Sequence, residues 1–144
     1  MMARNAVLRL LDANANRALE GARVCEEIIR FHVESPRAFR RLRTLRHAIA
    51  LAVDRLPITA LDRVRARESV RDIGRGAPSA RVASLERLLL MNFQRMKEAL
   101  RTLEECTRLA APHRTSAFQR LRFRTYEVER ELLRRVAAVR HHRS

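Results

Sequence analysis

The sequence predicts an all-α fold, a compact helical bundle built from two αα-hairpins related by a pseudo-twofold axis. Three observations lead there. Helix breakers are scarce, with 3 Gly and 4 Pro in 144 residues, while Ala, Leu, Arg and Glu dominate. Apolar residues recur at a helical period over four long stretches. The chain also writes one polar string twice: "NANRALEGARVCEEIIRF" at 14–31 falls, after a shift of 78 positions, on "NFQRMKEALRTLEECTRL" at 92–109. The length fits one domain over residues 1–144. Its repeat halves span about 5–56 and 80–140 and are joined by a basic, glycine-containing loop.

Each element follows from local pattern. The first helix is expected over about 5–33, where Val7, Leu8, Leu11, Ala15, Ala18, Ala22, Cys25 and Ile29 form one stripe. Leu10, Gly21, Val24, Ile28 and Phe31 widen that stripe. Ser35 then offers an N-cap and Pro36 a first-turn residue for a second helix over about 36–55, with Phe39, Leu42, Leu45, Ile49 and Val53 inward. After Pro57, "ITALDRVRARES" reads as a short helix and "VRDIGRGAPSA" as a loop. A third long helix is expected over about 80–110, with Val82, Leu85, Leu89, Phe93, Met96, Leu100 and Leu103 inward. "AAPHRTS" breaks it, and Thr115 or Ser116 would cap a fourth over about 117–140. "FRRLR" at 39–43 recurs as "FQRLR" at 118–122, which extends the repeat to the second and fourth helices.

Composition excludes several classes. No apolar run approaches the ~20 residues of a membrane span, and the first residues carry no signal-peptide core, so the expectation is a cytoplasmic protein. Cys25 and Cys106 sit at apolar helical positions and read as reduced thiols. The histidines, His32, His47, His113 and the terminal His141 and His142, have no zinc-site spacing. No Walker loop occurs. The formal net charge is +15, and Lys97 is the single lysine among 31 basic residues. Such a surface attracts phosphates and nucleotides. A basic nucleic-acid-binding module is the rival reading, but aromatics are 4% and Trp is absent, so base stacking is poorly provided.

Both copies of the string read N-x-[NQ]-R-x-x-E-x-x-R-x-x-E-E-x-x-R. Part of it is explained as helix surface: Arg23 with Glu27 and Glu26 with Arg30 are i,i+4 pairs adding ~0.2–0.5 kcal/mol each. The N-terminal half is harder to explain that way, because asparagine is a poor mid-helix residue. Asp12, Asn14 and Asn16 stand together among Ala13, Ala15, Ala18 and Gly21, which leave room beside the helix. One reading is tight packing with an Asn14–Asn92 pair fixing register. The other is a polar pocket in which arginines grip phosphate and carboxylates hold Mg²⁺. On that reading Arg17, Glu20, Arg23, Arg95, Glu98 and Arg101 are candidate catalytic residues. Asn14, Asn16, Asn92 and Arg71 are candidate substrate contacts, and Asp72, Glu20 and Glu98 candidate metal ligands. The loop arginines Arg67, Arg71, Arg75 and Arg81, around Gly74 and Gly76, would cover the phosphates.

These residues resemble a known family. "LDANANRALEGARVCEEIIRF" resembles the motif DANxNRAxEGxRVxE of the monofunctional hydroxymethylpyrimidine phosphate kinases of thiamine biosynthesis, and "VRDIGR" resembles their RDVG segment. "NFQRMKEALRTLEE" resembles NxxRxxEALRxLEE, and "RLRFRTYEVE" resembles RYxxYExE. The likeness runs from about residue 8 to 131, with departures at Ile73, Arg75 and Phe123. It implies transfer of the ATP γ-phosphoryl group to hydroxymethylpyrimidine phosphate, with ATP and Mg²⁺ as cofactors. It also implies a partnership with thiamine phosphate synthase, to which the family's domain is often fused. A non-catalytic helical partner of that synthase is a third reading, and a homodimer stays open. The phosphate acceptor is already anionic near neutral pH, so positioning and charge neutralisation suffice without a strong base.

Overall fold

The computed structural model describes the backbone of residues 2–142 and the side chains of residues 4–137. Helix α1 spans Met2–Ile28 and runs into a π-helical turn, Ile29–Val33. Helix α2 spans Pro36–Asp54, the short α3 Ala60–Ala66, α4 Leu85–Ala110 and α5 Thr115–His142, the last preceded by a 3₁₀ turn at Pro112–Arg114. Among the described residues there is no strand, and no helix is long and apolar enough to cross a membrane.

Side-chain caps set most helix starts. Ser35 Oγ accepts from Ala38 N at 3.2 Å, Thr59 Oγ1 from Asp62 N at 3.1 Å, and Ser84 Oγ from Arg87 N at 3.1 Å. The Ser84 cap is why α4 begins at Leu85 and not near residue 80. The chain before it is an extended connection in which Val82 is only half-buried, and Leu85 is 44% exposed. Thr115 does not cap α5. It already has helical dihedrals, because the 3₁₀ turn runs directly into the helix, and its hydroxyl accepts from Thr107 Oγ1 at 3.2 Å. The π turn ends at Glu34, at φ 57°, whose N–H donates to Ile29 O at 2.8 Å.

Helices α1 and α4 pack antiparallel as the central pair. α2 packs on α1, α5 on α4, and α2 on α5, which closes the bundle. Small residues bring the central pair together: Ala15, Ala18, Ala22 and Cys25 are fully buried on α1. Cys25 Sγ donates to Leu89 O at 3.8 Å. A Cβ at Gly21 would stand 3.1 Å from both Asn92 O and Met96 Cγ, so this glycine is required by the approach of α4. Larger side chains, among them Leu42, Phe93, Leu100 and Phe118, fill the space between the hairpins. Each contributes roughly 1.5–3 kcal/mol on burial. Leu10 and Phe31, expected inward, are 46% and 67% exposed. The stripe is narrower than drawn because its neighbours are alanines and a glycine.

The repeat register also differs from the "FRRLR"/"FQRLR" match, which relates α2 and α5 by 79 positions. Buried positions pair Leu42 with Phe118, Leu45 with Leu121 and Ile49 with Thr125, a shift of 76. The two registers differ by nearly one helical turn, so either places the same face inward and the string likeness cannot separate them.

Candidate functional site

The repeated string divides into two parts with different fates. Its C-terminal half is tied up in ion pairs. Glu26 is 1% exposed and accepts from Arg46 of α2, Nε to Oε2 at 2.6 Å and Nη2 to Oε1 at 3.4 Å. Glu104, its counterpart, is 6% exposed and accepts from Arg122 of α5 at 2.8 and 3.4 Å. The bond to Glu104 holds the Arg122 guanidinium above its ordinary pKa. Neither glutamate belongs to a solvated ladder. Each is the clasp of its own hairpin, joining α1 to α2 or α4 to α5. Arg23 reaches Glu26 and Glu27 at 3.7 and 3.8 Å. Arg101 reaches Glu104 and Glu105 at 4.0 and 3.3 Å, and Arg108 reaches Glu105 at 2.9 Å. The candidate residues Arg23 and Arg101 are therefore engaged within the helices and line neither cleft described below.

The N-terminal half of the string faces open space. Across the α1–α4 seam lies a cleft of about 630 Å³ whose walls repeat each other. Asn14 is matched by Asn92, Arg17 by Arg95, and Glu20 by Glu98; Gly21 is matched by Ala99 and Val24 by Thr102. Every pair is related by the 78-residue shift, so the cleft straddles the pseudo-twofold axis. The asparagines are buried and do not bond each other. Asn14 Nδ2 donates to Leu10 O and Asn92 Nδ2 to Leu88 O, both at 2.9 Å, which leaves each amide oxygen and second N–H for other use. Among the described residues the side chains of Arg17, Arg95 and Glu20 have no ion-pair or hydrogen-bond partner, and the Glu98 carboxylate accepts only from the neutral Gln94, at 3.0 Å. Two guanidiniums and two carboxylates are thus held ready at one place.

A second cleft, of about 450 Å³, adjoins the first and shares Asn14 and Arg17 with it. Its other walls include Arg9 and Asn16 of α1 and Ser69 and Asp72 of the loop after α3. Sequence reasoning missed its organising contact. Asp12, 5% exposed, accepts from Arg67 Nε at 2.7 Å and Nη2 at 2.9 Å, which pins the loop's root to α1 and raises the Arg67 pKa through that bond. The available signal was an acid inside the apolar stripe, next to Leu11 and Ala15, which demanded a cation from elsewhere. Arg67 is thus committed to Asp12 while it also lines the side cleft. Asp72 Oδ1 accepts from Gly74 N at 2.8 Å and so shapes the turn. Asp72 faces this side cleft and does not join Glu20 and Glu98. Arg71 is exposed in the loop and lines neither cleft.

No group of three or more His, Cys, Asp or Glu side chains suited to a metal exists among the described residues. Glu20 and Glu98 are the two acids that line the axial cleft, and neither is paired with a protein cation. Burial pushes both thiols up, Cys25 far above the ordinary range and Cys106 less so. Lys97 is half-buried, donates to Glu129 at 3.0 Å and stands 5.0 Å over the Tyr126 ring, away from either cleft.

A duplicated helical hairpin with a charged cleft on its pseudo-axis defines a small all-α domain that presents arginine, asparagine and glutamate in matched pairs. The chain belongs to the ThiD2 family, whose pattern it matches over residues 9–131. It is 37% identical over 131 residues to a thiamine-phosphate synthase of Synechocystis sp., an alignment covering 89% of this chain and 36% of that protein. It is 35% identical over 136 residues to the thiamine-phosphate synthase of Rhodopirellula baltica, covering 92% and 36%. A Nostoc sp. thiamine-phosphate synthase is 35% identical over 127 residues, covering 88% and 35%. The chain therefore spans about a third of the length of these relatives. The likeness ties it to thiamine biosynthesis. No solved structure matches it.

Proposed function

We propose that this domain is a kinase that transfers the ATP γ-phosphoryl group to the phosphate of hydroxymethylpyrimidine phosphate, giving the diphosphate consumed in thiamine phosphate synthesis. The observation that carries this reading is the division of the repeated string. Its C-terminal half is spent on ion pairs, whereas Arg17, Arg95, Glu20 and Glu98 stand around the pseudo-axis without a charged partner. Arginine forks suit phosphate oxygens, and phosphoryl transfer asks mainly for positioning and charge neutralisation. Glu20 and Glu98 would hold Mg²⁺, which when bound neutralises phosphate charge. Asn14 and Asn92 supply neutral donors and acceptors on either side, and the rigid α1–α4 seam fixes the spacing.

The test is incubation of the chain with ATP, Mg²⁺ and the pyrimidine monophosphate, following the diphosphate by phosphorus NMR. Diphosphate formation that disappears in Arg95→Ala, at unchanged melting temperature, supports the kinase. No diphosphate, with stimulation of a separate thiamine phosphate synthase, would instead mark a non-catalytic helical partner. Tight binding of an oligonucleotide alone at near-physiological salt would replace the reading by a nucleic-acid module.

A further inference from the structure

The fold writes the wall of the axial cleft twice but the wall of the side cleft only once. Residues matching Asp12, Asn16 and Arg9 in the second half are Leu90, Gln94 and Arg87. Leu90 offers no carboxylate to anchor a loop, and Gln94 is turned onto Glu98 at 3.0 Å. The segment that completes the side cleft, α3 with the loop rooted at Arg67, packs on α1. Arg17 therefore borders both clefts, whereas its pseudo-symmetric twin Arg95 borders the axial one alone.

We infer that the two clefts are separate ligand sites, with the nucleotide in the axial cleft, the phosphorylated pyrimidine acceptor in the side cleft, and Arg17 bridging them. The inference rests on the kinase reading and deepens it. The axial cleft is the larger, about 630 against 450 Å³, and holds two carboxylates without a cationic partner, which suit a metal-bound polyphosphate. In the side cleft Asp12 is neutralised by Arg67, and Arg9 and Arg17 are the cations left for a phosphate, with the carboxylates of Glu68 and Asp72 on the same lining. Asn16 and Ser69 add neutral hydrogen-bonding groups for the edge of a polar ring. In the transfer, an acceptor phosphate oxygen forms a bond to the γ-phosphorus. The bond from that phosphorus to the β,γ-bridging oxygen breaks, and its electron pair leaves with ADP. A guanidinium on the shared wall touches the group in flight, which one on the far wall of the axial cleft does not. The two arginines, alike in sequence, are unlike in role.

Calorimetry on the full chain separates the sites, with a non-hydrolysable Mg²⁺–ATP analogue and the pyrimidine monophosphate titrated singly. Arg9→Ala should weaken the monophosphate about tenfold or more and leave the nucleotide within about twofold, as loss of one charge-assisted contact predicts. Arg95→Ala should do the reverse, and Arg17→Ala should weaken both. All three side chains are exposed, so circular dichroism should show native folding for each variant. If Arg9→Ala and Arg95→Ala weaken the same ligand, or Arg9→Ala affects neither, the two-site inference fails while the kinase reading stands. A wild-type chain that binds neither probe overturns both.

Discussion

Glu104→Ala tests whether the C-terminal half of the string is structural. The Glu104 and Arg122 side chains are 7% and 12% exposed, and the substitution removes both oxygens that face the guanidinium at 2.8 and 3.4 Å. Arg122 keeps the Phe123 ring, 4.9 Å away, but loses its counter-charge. Breaking a buried pair from one side costs roughly 3–5 kcal/mol, and with some rehydration the lower end applies, about 3 kcal/mol. Unfolding entropy near ~2.1 cal/mol/K per residue gives a 144-residue chain ~0.3 kcal/mol/K, so the melting temperature should fall by about 10 °C. Glu26→Ala should cost less, about 2 kcal/mol, because the Arg46 side chain is 23% exposed and rehydrates more easily. Glu98→Ala removes an exposed carboxylate from the axial cleft and should stay within ~0.5 kcal/mol of wild type. The assay is thermal unfolding by far-ultraviolet circular dichroism at near-physiological salt. A Glu104→Ala variant melting with wild type, or a Glu98→Ala variant falling as far, refutes the division of the string. The double variant Glu104→Ala/Arg122→Met should recover much of the loss, since it removes the stranded charge.

Four further outcomes are expected. Gly21→Ala gains ~1 kcal/mol of helix propensity but sets a Cβ 3.1 Å from the Asn92 carbonyl, a backbone atom that cannot rotate away, so a net loss of about 1 kcal/mol should appear in denaturant melts; a stabilised variant would count against the close α1–α4 approach. Glu34→Gly relieves a left-handed conformation at φ 57° and should stabilise by about 0.5–1 kcal/mol, and a destabilised variant would show that the Glu34 side chain does something its backbone does not. In native protein Cys106 should alkylate before Cys25, read by mass spectrometry of the digested chain, and equal rates would contradict the burial of Cys25. Because the folded Cys25 thiol keeps its proton above the ordinary thiol value of 9.0, at which the unfolded chain ionises, it should subtract stability as pH rises past that point. Chemical unfolding of wild type against Cys25→Ala across that pH range would show it.

Much of the architecture was legible because helices declare themselves by period. Leu11, Ala15, Ala18, Ala22 and Cys25 are all buried as the stripe required, and the short helix after Pro57 stands at Ala60–Ala66. What escaped depended on partners distant in sequence. Glu26 looked like a surface i,i+4 partner because Arg46, twenty residues on, could not be placed opposite it without the α1–α2 crossing. Asp12 looked like a local cost because Arg67 lies 55 residues away. The cleft itself was half visible. Asn14, Arg17 and Glu20, with Asn92, Arg95 and Glu98, do come together. Period alone, however, could not say that Arg23 and Arg101, three residues from Glu20 and Glu98, turn toward acids of their own helices.

A binding place that sits on an axis belongs to neither half. Two unlinked copies of one hairpin, meeting through the α1–α4 seam, would already present asparagine, arginine and glutamate from both sides. In one chain, each copy is free to drift apart from the other. Leu90 where its twin is Asp12, and Gln94 where its twin is Asn16, record that drift. Once the halves are fused, an innovation such as a loop anchored by a single aspartate alters one side of the ligand and spares the other, which a symmetric pair of separate hairpins cannot do.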